Sequence, residues 1–231
     1  MTEPNPSLDQ TGVLADVRRA LGRTVSVAPA PLESFIEPAG SVDPAELIAR
    51  FTEEATAVRA RVHRLKHQHQ LVEKIAEICD ECREPEPALS GAEIFSEMNL
   101  SSALMALGFS SFVPDEKDHD QMVARLANCG VGITAADYAI AETGTIVLSS
   151  DEPYSLLVSL LPPVHVAVLR SSQIAACLDE VISRLSRERI NLADPSRSIT
   201  LITGPSRTSD VELVLSIGVH GPKELHVIIL D

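Results

Sequence analysis

Tryptophan is absent from this chain of 231 residues, and aromatic residues of all kinds make up only 3% of it. Single-stranded nucleic acids bind proteins by stacking their bases on aromatic side chains, and such platforms are scarce here. Basic residues are also few: 19 stand against 33 acidic residues, and the formal net charge of −14 repels phosphate backbones. Glutamates flank the only basic cluster, which is Arg59, Arg61, Arg64 and Lys66. We therefore expect no nucleic-acid partner.

Cysteine is scarce too, with four residues at positions 79, 82, 129 and 177. Cys79 and Cys82 have C-x-x-C spacing, but no second pair completes the ligand set of a zinc site or an iron–sulfur cluster. Asp80 and Glu81, which lie between the two, would raise the thiol pKa values, contrary to the needs of a redox pair. Cys79 also continues the apolar face of a helix. We expect no metal site and no cofactor in this chain.

Long apolar runs are missing as well. None approaches the ~20 residues that a transmembrane helix needs, so we expect no membrane span. The first ten residues are polar, include two prolines and lack the basic start and apolar centre of a signal peptide. These features favour a cytoplasmic protein. Hydrophobic residues at 45% and charged residues at 23% are typical of a folded domain.

The chain changes character at about residue 42. Residues 7–22 suit a short amphipathic helix, whereas residues 23–41 contain three prolines and no periodicity. We expect that segment to be mobile or to pack only against another subunit. Asp43 and Pro44 then form the start of a helix, with an N-cap residue and a first-turn proline. The sequence thus predicts an N-terminal helix and Pro-rich arm over residues 1–41 and a single domain over residues 42–231.

Short apolar runs and helical patterns alternate through the domain. This order predicts an α/β fold with a central, mostly parallel sheet flanked by helices. The predicted strands cover residues 62–65, 131–134, 138–140, 145–148, 164–169, 199–202 and 225–230. The predicted helices cover residues 43–58, 68–82, 92–107 and 122–127, with a further helix capped by Ser171 or Ser172 and extending to Leu185.

A hydroxyl-rich segment follows the predicted strand Ile199–Ile202. The run stops at Gly204-Pro205, and a possible helix begins near Val211. Backbone N–H groups at a helix start favour anions, and an arginine adds two-point recognition. The alternative is a tight turn with Ser209 or Asp210 as an N-cap. The anion-binding candidates are Thr203, Gly204, Ser206, Arg207, Thr208 and Asp210.

A second polar segment interrupts the apolar runs around position 142. Glu142 is followed by Thr-Gly-Thr, which places a carboxylate at a bend beside two hydroxyls. Glu142 is therefore a candidate nucleophile or general base. The alternative is a glutamate that hydrogen-bonds its own hairpin. The ligand-binding candidates in this region are Thr134, Asp137, Thr143, Gly144 and Thr145.

Seven histidines occur in the chain, and two are candidates for chemistry. His220 lies in a glycine-flanked loop that presents its imidazole, so it is a candidate general acid or base, with Gly221 as a neighbouring ligand-binding residue. His165 opens a strand and is either a proton carrier at a ligand site or a satisfied, half-buried side chain. We interpret His226 as structural. The stretch that contains His63, His67 and His69 is charged, so we expect those three to be solvated.

Five motifs together resemble the lactate-utilisation C, or LUD-domain, family. They occur in the family's order over residues 130–231: Gly132–Asp137, Ala141–Thr145, Leu161–His165, Thr203–Asp210 and Gly218–Pro222. The resemblance implies a fold similar to the ribose-phosphate isomerase and CoA-transferase group. It also implies a role in oxidising L-lactate to pyruvate beside two iron–sulfur partner proteins, so the iron–sulfur clusters are expected in the partners. No catalytic residue is carried over from the family.

Two functions follow from these observations. The first is an accessory or regulatory subunit that binds a small anionic ligand, a carboxylate or phosphate, at the carboxyl edge of the sheet. The second is an autonomous transferase or isomerase, acting on a CoA thioester or a sugar or organic phosphate, with Glu142 as nucleophile or base. We expect the Gly132–Thr145 and Thr203–Asp210 segments to meet at one cleft, with Glu142 and Arg207 on the same side. The sequence leaves open whether the chain forms a homo-oligomer.

Overall fold

A computed structural model describes residues 10–22, 43–114, 119–149, 154–187, 198–209, 215–217 and 221–231. The chain divides into two compact units, Met1–Phe35 and Ile36–Asp231. In the first unit the described element is helix α1, Gln10–Ala20, within the predicted helix over residues 7–22. The predicted arm over residues 23–41 lies outside the described residues. No helix in the described part of the chain is long and apolar enough to cross a membrane.

The second unit alternates helices and strands. Its helices are α2 Pro44–Ala57, α3 His69–Cys82, α4 Glu93–Glu97, α5 Leu100–Ala106, α6 His119–Asn128, α7 Ser155–Leu160 and α8 Leu178–Arg187. Its strands are β1 Arg61–Leu65, β2 Ala88–Leu89, β3 Val131–Ala135, β4 Tyr138–Ile140, β5 Thr145–Ser149, β6 Val164–Arg170, β7 Ile174–Ala175, β8 Ile199–Ile202, β9 Arg207–Ser209, β10 Leu215–Ile217 and β11 Glu224–Leu230.

Five strands form the central sheet in the order β1-β11-β6-β3-β2, and every pair in it is parallel. The predicted α/β fold with a mostly parallel sheet is therefore confirmed. The inner strands are buried on both faces, as apolar runs without alternation require. On one face Val131, Val166 and Ile228 pack against α3, α4 and α5. On the other face Ala167, Leu169 and neighbouring side chains meet α2 and a second sheet.

The second sheet has the order β7-β4-β5-β8, and β5 is antiparallel to both of its neighbours. One face of this sheet shares the core with the parallel sheet. Its other face is covered by Val181 and Leu185 of α8, which pack on Tyr138 and Val147. The strand over residues 199–202 therefore belongs to this smaller sheet, so the polar segment that follows it does not lie at the carboxyl edge of the parallel sheet.

Two predicted helices differ from the structure. The predicted helix over residues 92–107 is two helices, α4 and α5, because Asn99 between them adopts a left-handed conformation with φ of 49°. The helix predicted from Ser171 is a 3₁₀ turn, Ser171–Gln173, followed by β7, and α8 begins only at Leu178. Ile174 is in a strand because it pairs with Ala139 of β4; its spacing to Leu178 only mimics a helical repeat.

The prediction of a helix after the hydroxyl-rich segment is also wrong, as far as the described residues show. β9 pairs antiparallel with β10, so Leu215 lies in a strand, and residues 211–214 lie outside the described residues. The physical reason is visible in the sequence, because Leu213, Leu215 and Ile217 recur with the period of two that is typical of strands. Within the described part of this segment, no helix N-terminus supports the anion site that we expected at Thr203–Asp210.

Two glycines allow the second sheet to approach the end of α2. Gly144 has φ of +62°, and a β-carbon there would lie 2.2 Å from the backbone nitrogen of Ala55. Gly204 has φ of +80°, and its β-carbon would lie 2.6 Å from the carbonyl oxygen of Val58. Both distances are far inside van der Waals contact, so any side chain at either position would push α2 away from the sheet.

We expect Gly144→Ala to lower the free energy of unfolding by about 2–5 kcal/mol, the sum of left-handed strain and overpacking. The measurement is urea unfolding. Gly108→Ala is the matched control, because Gly108 also has a positive φ (+94°) but no atom lies within 4 Å of its β-carbon position. That variant should lose only about 1–2 kcal/mol from backbone strain. Equal losses in the two variants would contradict the close approach to α2.

Candidate functional site

The carboxyl ends of three parallel strands meet at a cavity of about 390 Å³, which we call the carboxyl-end cavity. Ser90 follows β2, Asp137 follows β3, and Arg170 is the last residue of β6. Because β2, β3 and β6 are parallel neighbours, their carboxyl ends lie at one edge, the usual ligand position in open α/β sheets. Of the ligand-binding residues predicted from sequence, Asp137 lines this cavity.

The Asp137 carboxylate is held in place by the end of β5. Its Oδ2 atom accepts hydrogen bonds from the backbone nitrogen of Ser149 at 2.6 Å and from the Ser149 hydroxyl at 3.0 Å. Hydrogen bonds to a carboxylate are charge-assisted and fix its orientation. The Asp137 carboxylate is therefore a fixed acidic group in the lining of the cavity.

Gln173 ties the ends of β3 and β6 together. Its Nε2 atom donates to the carbonyl oxygens of Ala136 at 3.0 Å and Asp137 at 2.9 Å, while its Oε1 atom accepts from the backbone nitrogen of Arg170 at 2.6 Å. One side chain thus fixes the backbone on both sides of the cavity, and so sets the distance between Asp137 and Arg170. Because the sequence predicted a helix at this position, this role of Gln173 was not identified from the sequence.

Arg170 supplies a cationic group on the cavity wall. Its Nη2 atom donates to Glu97 at 3.1 Å, and its side chain is half exposed. Its remaining N–H donors form no hydrogen bond with other described residues, and a guanidinium binds carboxylates and phosphates at two points. Sequence reasoning missed Arg170. The sequence feature that could have identified Arg170 is its position directly after the apolar run Val164–Leu169.

A second cavity, of about 340 Å³, lies at the opposite end of the parallel strands, where β6 and β11 begin; we call it the amino-end cavity. The Ser206 backbone nitrogen donates to the Pro222 carbonyl oxygen at 2.9 Å, which joins the two loops that line it. Five residues predicted from sequence to bind a ligand converge here: His165, Thr203, Gly204, Ser206 and Gly221.

His165 is fully buried, not half-buried, and its Nε2 atom lies 2.8 Å from the Thr134 hydroxyl oxygen. Burial lowers the pKa of His165 to about 3, because a charged imidazole would lose its hydration. Burial thus favours a neutral ring at physiological pH, and the proton-carrier interpretation stays a prediction. The predicted ligand-binding residue Thr134 serves as the partner of this imidazole and lies in neither cavity.

The Glu142 segment and the Thr203 segment do meet, through hydroxyl groups. The Thr145 hydroxyl lies 2.7 Å from that of Thr143 and 2.8 Å from that of Thr203. Glu142 is exposed, and its carboxylate forms no hydrogen bond or ion pair with the described residues. The side chains of Arg207 and Thr208, and the residues Asp210 and His220, lie outside the described residues. A cleft between Glu142 and Arg207 therefore stays a prediction.

His63 is half-buried and stacks on His226, so the expectation that it is solvated is wrong. Its Nε2 atom lies 3.1 Å from Nδ1 of His226, which is buried in β11. Burial, followed by the charges of His63 and Arg61, lowers the pKa of His226 to about 4. His67 and His69 are exposed, as expected. These histidines contribute to neither cavity.

Burial favours the protonated thiol at three of the four cysteines. Burial raises the pKa of Cys79 to about 12, and it raises the pKa values of Cys82 and Cys129 as well. All four thiols are free. Within the described ranges, no group of three or more histidine, cysteine, aspartate or glutamate side chains is arranged to hold a metal ion.

Comparison with known proteins places these observations in a family. The LUD domain model matches residues 48–230. "Lactate utilization protein C 1" of Bacillus mycoides is 29% identical over 189 residues, which are 80% of each chain. "Uncharacterized protein YkgG" of Escherichia coli is 27% identical over 94% of this chain and 96% of its own length. A DUF162 family crystal structure from Deinococcus radiodurans shares the fold, with a TM-score of 0.59 and 21% identity, over 83% of this chain and 100% of that one.

We expect the free energy of unfolding to fall as the pH is lowered from about 7 to about 5. Unfolded histidines take up protons near the ordinary pKa of 6.5, whereas His165 and His226 stay neutral in the folded chain down to about 3 and 4. The unfolded state therefore binds more protons, and stability falls by up to about 1.4 kcal/mol per pH unit for each buried histidine. Urea unfolding measures the loss. A His165 ring that gains its proton above pH 5 in ¹⁵N NMR of the folded protein contradicts the account.

Proposed function

The chain belongs to the LUD-domain family, and from that premise we propose that it is a lactate-utilisation protein. In this proposal it is an accessory or regulatory component that binds a small anion, a carboxylate or a phosphate. It acts beside iron–sulfur partner proteins in the oxidation of L-lactate to pyruvate. Support for the lactate role comes from relatives named for lactate utilisation, two of which align over 80% and 76% of their own lengths.

The observation that carries the proposal is the carboxyl-end cavity, where Arg170 and Asp137 face one space of about 390 Å³. That volume is within the range of small-molecule sites, about 300–1,000 Å³. The Arg170 guanidinium offers the two-point contact that a carboxylate prefers. Gln173 holds the backbone of Arg170 rigid, so less conformational entropy is lost when an anion binds.

Oxidation of lactate to pyruvate removes two electrons and two protons from the substrate. We assign the electron acceptor to the iron–sulfur partners, because burial makes Cys79, Cys82 and Cys129 poor cluster ligands. A cluster ligand must be a thiolate, and burial raises the pKa of Cys79 to about 12. In this proposal the chain supplies binding and orientation of the anion, and the partners supply the redox centres.

The autonomous transferase or isomerase has less support. A carboxylate nucleophile or base needs neighbours that orient it and a space for substrate. Glu142 is exposed, lies in neither cavity, and its carboxylate forms no hydrogen bond with the described residues. Its backbone nitrogen donates to Ala176 at 3.1 Å, which anchors the turn and leaves the carboxylate in solvent.

We expect Arg170→Ala to weaken binding of L-lactate and pyruvate by about 1.5–3 kcal/mol, the size of a charged hydrogen bond. Isothermal titration calorimetry measures the change. Arg64→Ala is a matched control, because Arg64 is equally exposed and pairs with Asp231 at 2.9 Å, as Arg170 pairs with Glu97. It should bind both ligands as the unmodified protein does.

Arg170→Lys should recover only part of the affinity, because an ammonium group is a point charge and cannot form the two-point contact. Urea unfolding of all three variants shows whether the loss is one of binding or of folding. The proposal fails if Arg170→Ala and Arg64→Ala bind lactate equally well. It also fails if the affinity of Arg170→Ala falls only in step with its stability.

The Glu142→Gln variant distinguishes the accessory component from the autonomous enzyme. It removes the charge and keeps the shape, so an enzyme that uses Glu142 as nucleophile or base would lose activity by about 10²-fold or more. We expect no such loss in lactate oxidation reconstituted from this chain and its iron–sulfur partners, because the carboxylate touches neither cavity. A large loss of activity with unchanged stability would instead support the autonomous enzyme.

A further inference from the structure

The amino-end cavity is lined by three polar groups that form no hydrogen bond with other described residues. Thr134 engages only the Nε2 atom of His165, and the other ring nitrogen, Nδ1, forms no hydrogen bond with the described residues. The hydroxyls of Thr200 and Ser206 also form no hydrogen bond with the described residues. Polar groups in folded proteins are nearly always paired with protein or with a bound molecule when they are withdrawn from water. His165 is fully buried, so its unpaired ring nitrogen is such a group, and it indicates that a molecule binds in the cavity. Thr200 and Ser206 are half-exposed and offer two further hydrogen-bonding groups to that molecule.

The described lining also favours an uncharged molecule over an anion. Among the described residues that line the amino-end cavity, none is acidic, lysine or arginine. His165 cannot supply a positive charge, since burial keeps its imidazole neutral. An anion that contacts only these described residues would have no counter-charge beside it, which is unfavourable. The carboxyl-end cavity differs in this respect, because Glu93, Asp137 and Arg170 line it.

Apolar contacts complete the cavity. Leu160 ends α7 and Leu225 lies at the start of β11, and both line the space together with Pro205 and Pro222. Carbon atoms of a ligand can pack against these side chains while its polar atoms meet His165, Thr200 and Ser206. Mixed linings of this kind, mostly apolar with a few fixed polar groups, are typical of small-molecule sites.

We propose that the amino-end cavity is a second binding site, which takes an uncharged small molecule that carries a hydroxyl and a carbonyl or amide group. His165, Thr200 and Ser206 hydrogen-bond its polar atoms, and Leu160 and Leu225 contact its carbon atoms. This site is separate from the anion site of the proposed function, and neither depends on the other.

L-lactamide and L-lactate form the probe pair that tests the proposal, because they differ only by an amide in place of the carboxylate. Each is titrated into the full-length protein while ¹⁵N NMR follows the His165 ring and the Arg170 guanidinium. We expect lactamide to shift the His165 ring signals to saturation and lactate to leave them unchanged. A lactate response at Arg170 concerns only the proposed function, so failure of one site is distinguishable from failure of the other.

Ser206→Ala and Thr200→Val each remove one hydroxyl from the site. Each should weaken lactamide binding by about three- to tenfold, the effect of one neutral hydrogen bond. Thr52→Val is the control, because it removes a hydroxyl that bonds to Ile48 within α2, away from both cavities. The proposal is overturned if lactamide leaves the His165 ring unshifted, if lactate shifts that ring as strongly, or if all three variants bind lactamide as the unmodified protein does.

Discussion

Parallel pairing of β3, β6 and β11 fixes the two ends of the central sheet, and a cavity lies at each end. His165 of β6 is paired with Gly132 of β3 on one side and with Leu225 of β11 on the other. Near the carboxyl end of β6, Val168 is paired with Ala135 of β3. All three strands therefore start together, β6 and β11 also end together, and β3 ends two residues earlier. Burial of the sheet on both faces makes this register hard to change, since a slip by one residue would exchange the two faces of a strand. The two ends of the sheet are thereby held as two fixed sites.

The two ends differ in chemistry because different elements complete them. At the carboxyl end, turns at the sheet edge bring charged and hydrogen-bonding side chains, and Gln173 locks the backbone of Arg170 to that of Asp137. At the amino end, the loop after β8 and the loop before β11 bring hydroxyls, prolines and glycines. We propose on this basis that one end binds a small anion and that the other binds an uncharged molecule.

Local patterns predicted most of the fold. Asp43 and Pro44 marked the start of α2, and the apolar runs at 164–169 and 225–230 marked two central strands, because these signals depend on neighbouring residues alone. The partner of His63 was not predictable, since it lies 163 residues away in β11. Nor was Arg170 identified, because a single arginine at a strand end becomes a site only when β2 and β3 end beside it. The Thr203 segment was found by its composition, yet its place at the amino end depends on β8 joining the second sheet.

A crystal structure of the protein with bound pyruvate tests the central claim most directly. The account predicts the carboxylate of pyruvate in the carboxyl-end cavity, with both of its oxygens in contact with the Arg170 guanidinium and with Asp137 still bonded to Ser149. Pyruvate found elsewhere on the protein, or a carboxyl-end cavity left empty at saturating ligand, would contradict it.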